Sequence, residues 1–189
     1  MPRARIGGFT VIELMITILV AAVLIALAAP LYKEVRERSI VLGATGDLAA
    51  AFQQAKLEAA KRNDFVTVSV RGPAGAAWCI GVQSGATGCN CLNTTCDINQ
   101  VNATQLNGAR LLAAADFNIP SGGGAGSTDV TIDPRLGMIR NLGSGGSLVV
   151  RSPSDNWDFR LQFNLSSTAQ TSLCSPTGGR PLSENSSCP

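Results

Sequence analysis

The chain contains no histidine. Without an imidazole there can be no Ser/His/Asp triad, no Cys/His nucleophile pair and no metal site that depends on a histidine ligand. A strong charge of either sign is also missing. Fifteen basic side chains stand against 13 acidic ones, and from Ile40 onward ten basic residues meet ten acidic. Such a balance leaves no broad surface for tracking phosphates or acidic lipid. The six cysteines contain no Cys-x-x-Cys knuckle of the kind that holds zinc. The glycine-rich run Ser121–Ser127 is not followed by Gly-Lys-Ser/Thr and opens no helix, so it is no phosphate cradle. Asp129 and Asp133 lie four apart on a predicted strand near a turn, and Asp155 and Asp158 flank another turn; both pairs read as solvated surface. No nucleophile has a base partner in sight, so the chain reads as a non-enzyme with no cofactor and no metal.

What is present is a long apolar run. From Phe9 to Leu31 only Thr10, Glu13, Thr17 and Pro30 interrupt it. As a helix rising ~1.5 Å per residue, the run is long enough to cross a hydrocarbon layer of about 30 Å. An acid inside such a run costs roughly 2.5–3.5 kcal/mol on insertion scales, so Glu13 calls for a reason. Upstream, Met1–Gly8 is short and basic, with Arg3 and Arg5, and ends in Gly7-Gly8. A secretory signal places its small-residue cleavage site after the apolar core. Here the small residues come first, so cleavage would leave the apolar run on the mature chain. It would also remove Arg3 and Arg5, leaving 13 basic and 13 acidic side chains.

The Gly8-Phe9 junction, a glutamate five residues into the product and the apolar helix together resemble the class III signal of type IV pilins and type II secretion pseudopilins. The resemblance implies that a prepilin peptidase cuts between Gly8 and Phe9 and that Phe9 is N-methylated. The remaining helix then holds the subunit in the inner membrane and later in a filament. The new Phe9 amine and Glu13 would lie four residues apart on one helical face, and this ion pair, within or between subunits, would account for the buried acid.

Tyr32 to Arg62 continues the helix, with a kink expected at Pro30, where pilins commonly carry a proline. Lys33, Glu34, Arg36, Glu37 and Arg38 mark the exit into water. Beyond them Val41, Leu48, Phe52, Ala55 and Ala59 form an apolar stripe fit to pack on a sheet. Gly43 and Gly46 suggest a soft stretch, and Asn63-Asp64 ends the helix. Ala55–Asn63 followed by Phe65–Val70, with Trp78–Val82 after a turn, is similar to the helix-to-strand junction of the GspH/FimT/FimU group of minor pilins and pseudopilins. Val66, Val68 and Val70 alternate with Thr67 and Ser69 as in a half-buried strand. Further strands are expected within Ala109–Ile119, at Val130–Ile139 (ending in a Pro-Arg-x-Gly turn that fits the group), at Ser147–Arg151 and at Phe159–Leu165. Gln83–Asn107 reads as a polar loop.

The expected architecture is α+β, a pilin fold: one long N-terminal helix whose second half packs on an antiparallel sheet of five to seven strands. Residues 1–8 form the leader, 9–62 the helix (9–31 transmembrane, 32–62 amphipathic) and 63–189 the β-rich domain. Outside the cytoplasm an even number of cysteines points to disulfides. Cys174 and Cys188 are local to each other and far from the rest, so they are the expected pair. Cys79, Cys89, Cys91 and Cys96 would form two local bridges, with the pairing left open.

The resemblance implies a minor pilin at or near the tip of a type IV pilus, where it helps to start assembly, in the setting of adhesion, twitching motility or DNA uptake. Its partners would be other major and minor pilins, the prepilin peptidase and, before assembly, the inner membrane; the domain would be periplasmic and then part of a cell-surface pilus. A type II secretion pseudopilin of the GspH kind shares signal, helix and fold. Some FimT proteins bind DNA through a Gly-Arg-x-Arg motif near the C-terminus. The matching place here reads Ala169-Gln170-Thr171-Ser172 and lacks both arginines. Gly179-Arg180 is half of such a motif, which makes Arg180 the candidate DNA contact against an otherwise even charge balance.

Overall fold

The computed structural model describes residues 9–72, 77–111, 127–140, 146–154, 156–180, 182 and 187–188, with the side chains at 29, 30, 127 and 128 outside the description. Helix α1 covers Val11–Arg62. Thr10 caps its start, its hydroxyl oxygen accepting the Glu13 N–H at 3.3 Å, a Thr-x-x-Glu capping arrangement. Asn63 ends it with φ 50°, and the Asp64 N–H reaches back to the Ala59 carbonyl at 3.4 Å. That six-to-one bond closes the orphan carbonyls of the last turn. Gly43 and Gly46 lie within the helix without breaking it.

Among the described residues eight strands follow: β1 (Val66–Arg71), β2 (Cys79–Ser84), β3 (Asn99–Asn102), β4 (Arg110–Leu111), β5 (Ser127–Ile132), β6 (Gly146–Arg151), β7 (Arg160–Leu165) and β8 (Thr171–Cys174). They form two antiparallel four-stranded sheets, ordered β3-β2-β1-β5 and β4-β6-β7-β8. This corrects the expectation of a single sheet of five to seven strands. The strands absent from the sequence reading are β3, which is polar, and β8, of which only Leu173 and Cys174 are apolar; both lie at sheet edges. An edge strand needs only one partner and little apolar surface, so alternation does not announce it. Part of the supposed loop Gln83–Asn107 is therefore β3, paired Cys79↔Asn102 to Val82↔Asn99 with β2.

One core cluster joins the helix to both sheets. Val41, Ala44, Leu48, Ala51, Phe52, Ala55 and Ala59 are buried along one stripe of α1, at the three- and four-residue spacing of a helical face. Phe52 stacks on Phe163 of β7 with ring centroids 5.3 Å apart. Trp78, buried just before β2, donates its indole N–H to the Ala109 carbonyl at 2.8 Å. The chain divides into two compact units inside the helix, Met1–Arg36 and Glu37–Pro189. The second half of α1 thus belongs with the strands.

β1 differs from expectation. Its alternation predicts a half-buried strand, but Val66 to Val70 are all buried. The Thr67 hydroxyl donates to the Gly85 carbonyl at 2.8 Å. The Ser69 hydroxyl donates to Asp129 at 2.7 Å and accepts the Cys89 N–H at 3.0 Å. The cysteine-bearing segment after β2 therefore covers the face that alternation would leave to water.

Candidate functional site

The first half of α1 is defined by what it leaves exposed. Its best 18-residue window has a mean hydropathy of 2.8 and no residue buried inside the molecule. Ile12, Met15, Leu19, Leu24 and Leu27 are each more than half exposed. A helix apolar all round with nothing of its own chain against it is stable in lipid or among other such helices, not in water. Phe9 is 84% exposed at its head. Glu13 lies in the first turn, where an acid also favours the positive end of the helix dipole. In the chain as given the Phe9 nitrogen is a backbone amide and not an amine. Gly8 lies outside the described residues, as does the side chain of Pro30; the helix itself continues through position 30.

The cysteines are all paired. Cys79 bonds to Cys91, Cys89 to Cys96 and Cys174 to Cys188, which leaves no free thiol. The first two bridges converge over Gly81, where an added Cβ would overlap the sulfurs of Cys96 and Cys89. Glycine there makes room for the Cys89–Cys96 bridge, with the Cys91 Cβ 3.2 Å from the same point. Gly88 is constrained in the same way by Asp129. Asp129 also takes the Arg71 guanidinium at 2.5 Å, which joins the end of β1 to β5. The sequence reading missed this pair of glycines; two glycines flanking a cysteine cluster were the available signal.

On the second sheet the register sets Arg110 beside Arg151 and Arg151 beside Arg160. Like charges directly opposite one another repel. Asp158 answers two of them, lying 2.7 Å from Arg151 Nε and 2.7 Å from Arg160 Nη2. Hydrogen bonding from Arg160 holds its carboxyl below the usual carboxylate range; partial burial opposes this and the charge of Arg151 adds to it. Arg180, the candidate DNA contact, lies over the Trp157 ring at 4.9 Å, and its N–H donates to the Asp158 carbonyl at 3.0 Å. Asp155, the neighbouring turn residue, lies outside the described residues.

An apolar helix leading into two antiparallel sheets, with the second half of the helix built into their core, defines a pilin-like subunit. The model of the family described as "Type II transport protein GspH" matches residues 44–167, and the chain belongs to that family. No curated protein and no solved structure gives a significant match. The family is one of structural subunits that assemble with other pilins or pseudopilins in a secretion or pilus system, and the apolar helix fits membrane anchoring.

Proposed function

We propose that this chain is a minor pilin of a type IV pilus, held in the inner membrane by a single pass of α1 with its domain in the periplasm, and then placed at or near the pilus tip to start assembly. The observation that carries the reading is the uncovered apolar half of α1, headed by Phe9 and Glu13 and joined to a domain with three disulfides. Prepilin peptidase cuts after Gly8 and N-methylates Phe9. Helices of this kind leave the bilayer at little cost only when they bundle with others like them. In that bundle the Glu13 carboxylate finds the Phe9 amine of a neighbouring subunit and ceases to be an unpaired buried charge.

The test is Glu13→Ala in the full chain. The variant inserts and is cleaved normally, but its recovery in sheared filaments falls about tenfold, equivalent to about 1.4 kcal/mol. Wild-type recovery of the mutant would remove the mechanism. A second reading, a pseudopilin of a type II secretion system, is favoured by the matched family's own description. Deleting the gene separates the two: loss of surface pili supports the first, and loss of secreted protein with pili intact supports the second.

A further inference from the structure

The three bridges differ in the order of their cysteines. Between Cys174 and Cys188 no other cysteine intervenes. The bridges Cys79–Cys91 and Cys89–Cys96 instead cross, because Cys89 lies inside the loop that the first of them closes. Taken in chain order the four would pair as Cys79–Cys89 and Cys91–Cys96. Loop-closure entropy grows slowly with length, and Cys89 and Cys91 are two residues apart. It therefore barely separates these two as partners for Cys79.

What selects the native pairing is tertiary, and much of it comes later in the chain. The Cys89 N–H is held by the Ser69 hydroxyl, which donates in turn to Asp129 of β5. Gly88 packs against the same aspartate. Cys79 opens β2, and its register partner Asn102 is on β3. Asp129 and Asn102 both follow the last of the four cysteines. In a chain delivered N-terminus first, all four thiols are thus ready to bond before the contacts that sort them exist. Once the fold closes, Cys79, Cys89 and Cys91 are buried, and a buried sulfur is out of reach of an attacking thiolate. Sorting has to precede closure. A mispaired chain cannot do this by itself: with all six cysteines bonded in pairs, no thiolate remains to start an exchange.

We infer that the crossed bridges are reached through the consecutive isomer, and that the partner which resolves it is a thiol–disulfide isomerase of the compartment where the domain folds. The first bridges come from that compartment's disulfide-donating oxidase, which takes up the thiol electrons. The exchange that follows has no net electron flow. The isomerase thiolate attacks Cys89 Sγ, forming a mixed disulfide and releasing Cys79 as a thiolate. Cys79 attacks Cys91 Sγ and displaces Cys96. Cys96 attacks Cys89 Sγ and displaces the isomerase, whose thiolate is regenerated. The inference rests on the periplasmic placement proposed above for its setting, but its readout is pairing alone.

The full chain is produced in a bacterial host with and without its periplasmic disulfide isomerase. Thiols are blocked with N-ethylmaleimide on lysis, and bridges are mapped by peptide mass spectrometry without reduction. With the isomerase, native pairing is expected throughout. Without it, Cys79–Cys89 and Cys91–Cys96 appear, and the native share falls to about one third or less, which is what chance leaves among three pairings of four cysteines. Cys174–Cys188 forms fully in both hosts and is the internal control. Purified isomerase with reduced thiols, added to the mispaired chain in detergent, restores the crossed bridges; its variant with the attacking cysteine replaced by serine does not. Cys89→Ser with Cys96→Ser, and separately Cys79→Ser with Cys91→Ser, each leave one local pair and remove the dependence on isomerase, whether or not the variant folds. Full native pairing without isomerase, mispairing that reaches Cys174 and Cys188 equally, or a mispaired chain that purified isomerase does not convert would overturn the inference. If the chain is absent from pili and secretion assemblies alike while the consecutive isomer accumulates, the proposed function falls and this inference stands.

Discussion

β1 and β7 have the same alternation in sequence, Val66-Thr67-Val68-Ser69-Val70 against Leu161-Gln162-Phe163-Asn164-Leu165, but different surroundings in the structure. β7 keeps its alternation: Leu161, Phe163 and Leu165 are buried, while Gln162 and Asn164 stay partly exposed and bond to each other at 2.7 Å. β1 is buried at all five positions. The difference lies in the size of the polar residues and in what covers them. Threonine and serine are short enough for the stapled loop to approach, and one hydroxyl both donates and accepts. The longer amides of β7 hold such a cover away. A polar position in a strand therefore reports side-chain reach and bonding capacity before it reports water.

The largest effect should come from the residue that ties α1 to the second sheet. Phe52→Ala removes the stack on Phe163 and leaves a cavity, costing about 3–5 kcal/mol; pulse proteolysis of the detergent-solubilised chain measures it. A cost below about 1 kcal/mol would mean that the helix is not built into the core. Removing the cover of β1 alone should cost less. Cys79→Ser with Cys91→Ser loses about 2–4 kcal/mol, and amide exchange should rise at Cys89 and Gly85 while β7 stays protected. Equal loss of protection in both strands would contradict the two-environment picture.

Gly81→Ala keeps every sulfur but drives a methyl into the Cys89–Cys96 bridge, for about 1–3 kcal/mol. The smallest effect belongs to the outward face of the second sheet. Asp158 has a lowered pKa in the fold, so its contribution is present above the unfolded carboxylate value of about 3.9. That contribution is lost as pH falls through the folded value. Asp158→Asn should cost about 1 kcal/mol at pH 7 and show a smaller loss of stability below about pH 4. An unchanged acid limb of the stability curve would show that the arginine row does not depend on it.

Much of this molecule was legible because its signals are local. The membrane-length run, the core stripe from Val41 to Ala59 and the end of the helix at Asn63 follow from spacing and backbone preference alone. The strands β5, β6 and β7 were visible through their β-branched and alternating residues. β3 and β8 were not, because an edge strand is defined by the strand it bonds to, and Asn99–Asn102 carries no sign of β2. The pairing of the four central cysteines was not legible for a similar reason: several closures have comparable chain entropy, and the positions of Gly81 and β2 choose among them.

The order of residues by itself determined that this chain has an apolar run of membrane length, an acid near the start of that run, and a β-rich domain with an even number of cysteines. Only the tertiary structure decided that the domain is two sheets, that β1 is sealed on both faces, and that Cys79 pairs with Cys91 and Cys89 with Cys96. Periodicity records which face of an element is apolar, but what finally lies against that face is set by contacts between residues far apart in the chain.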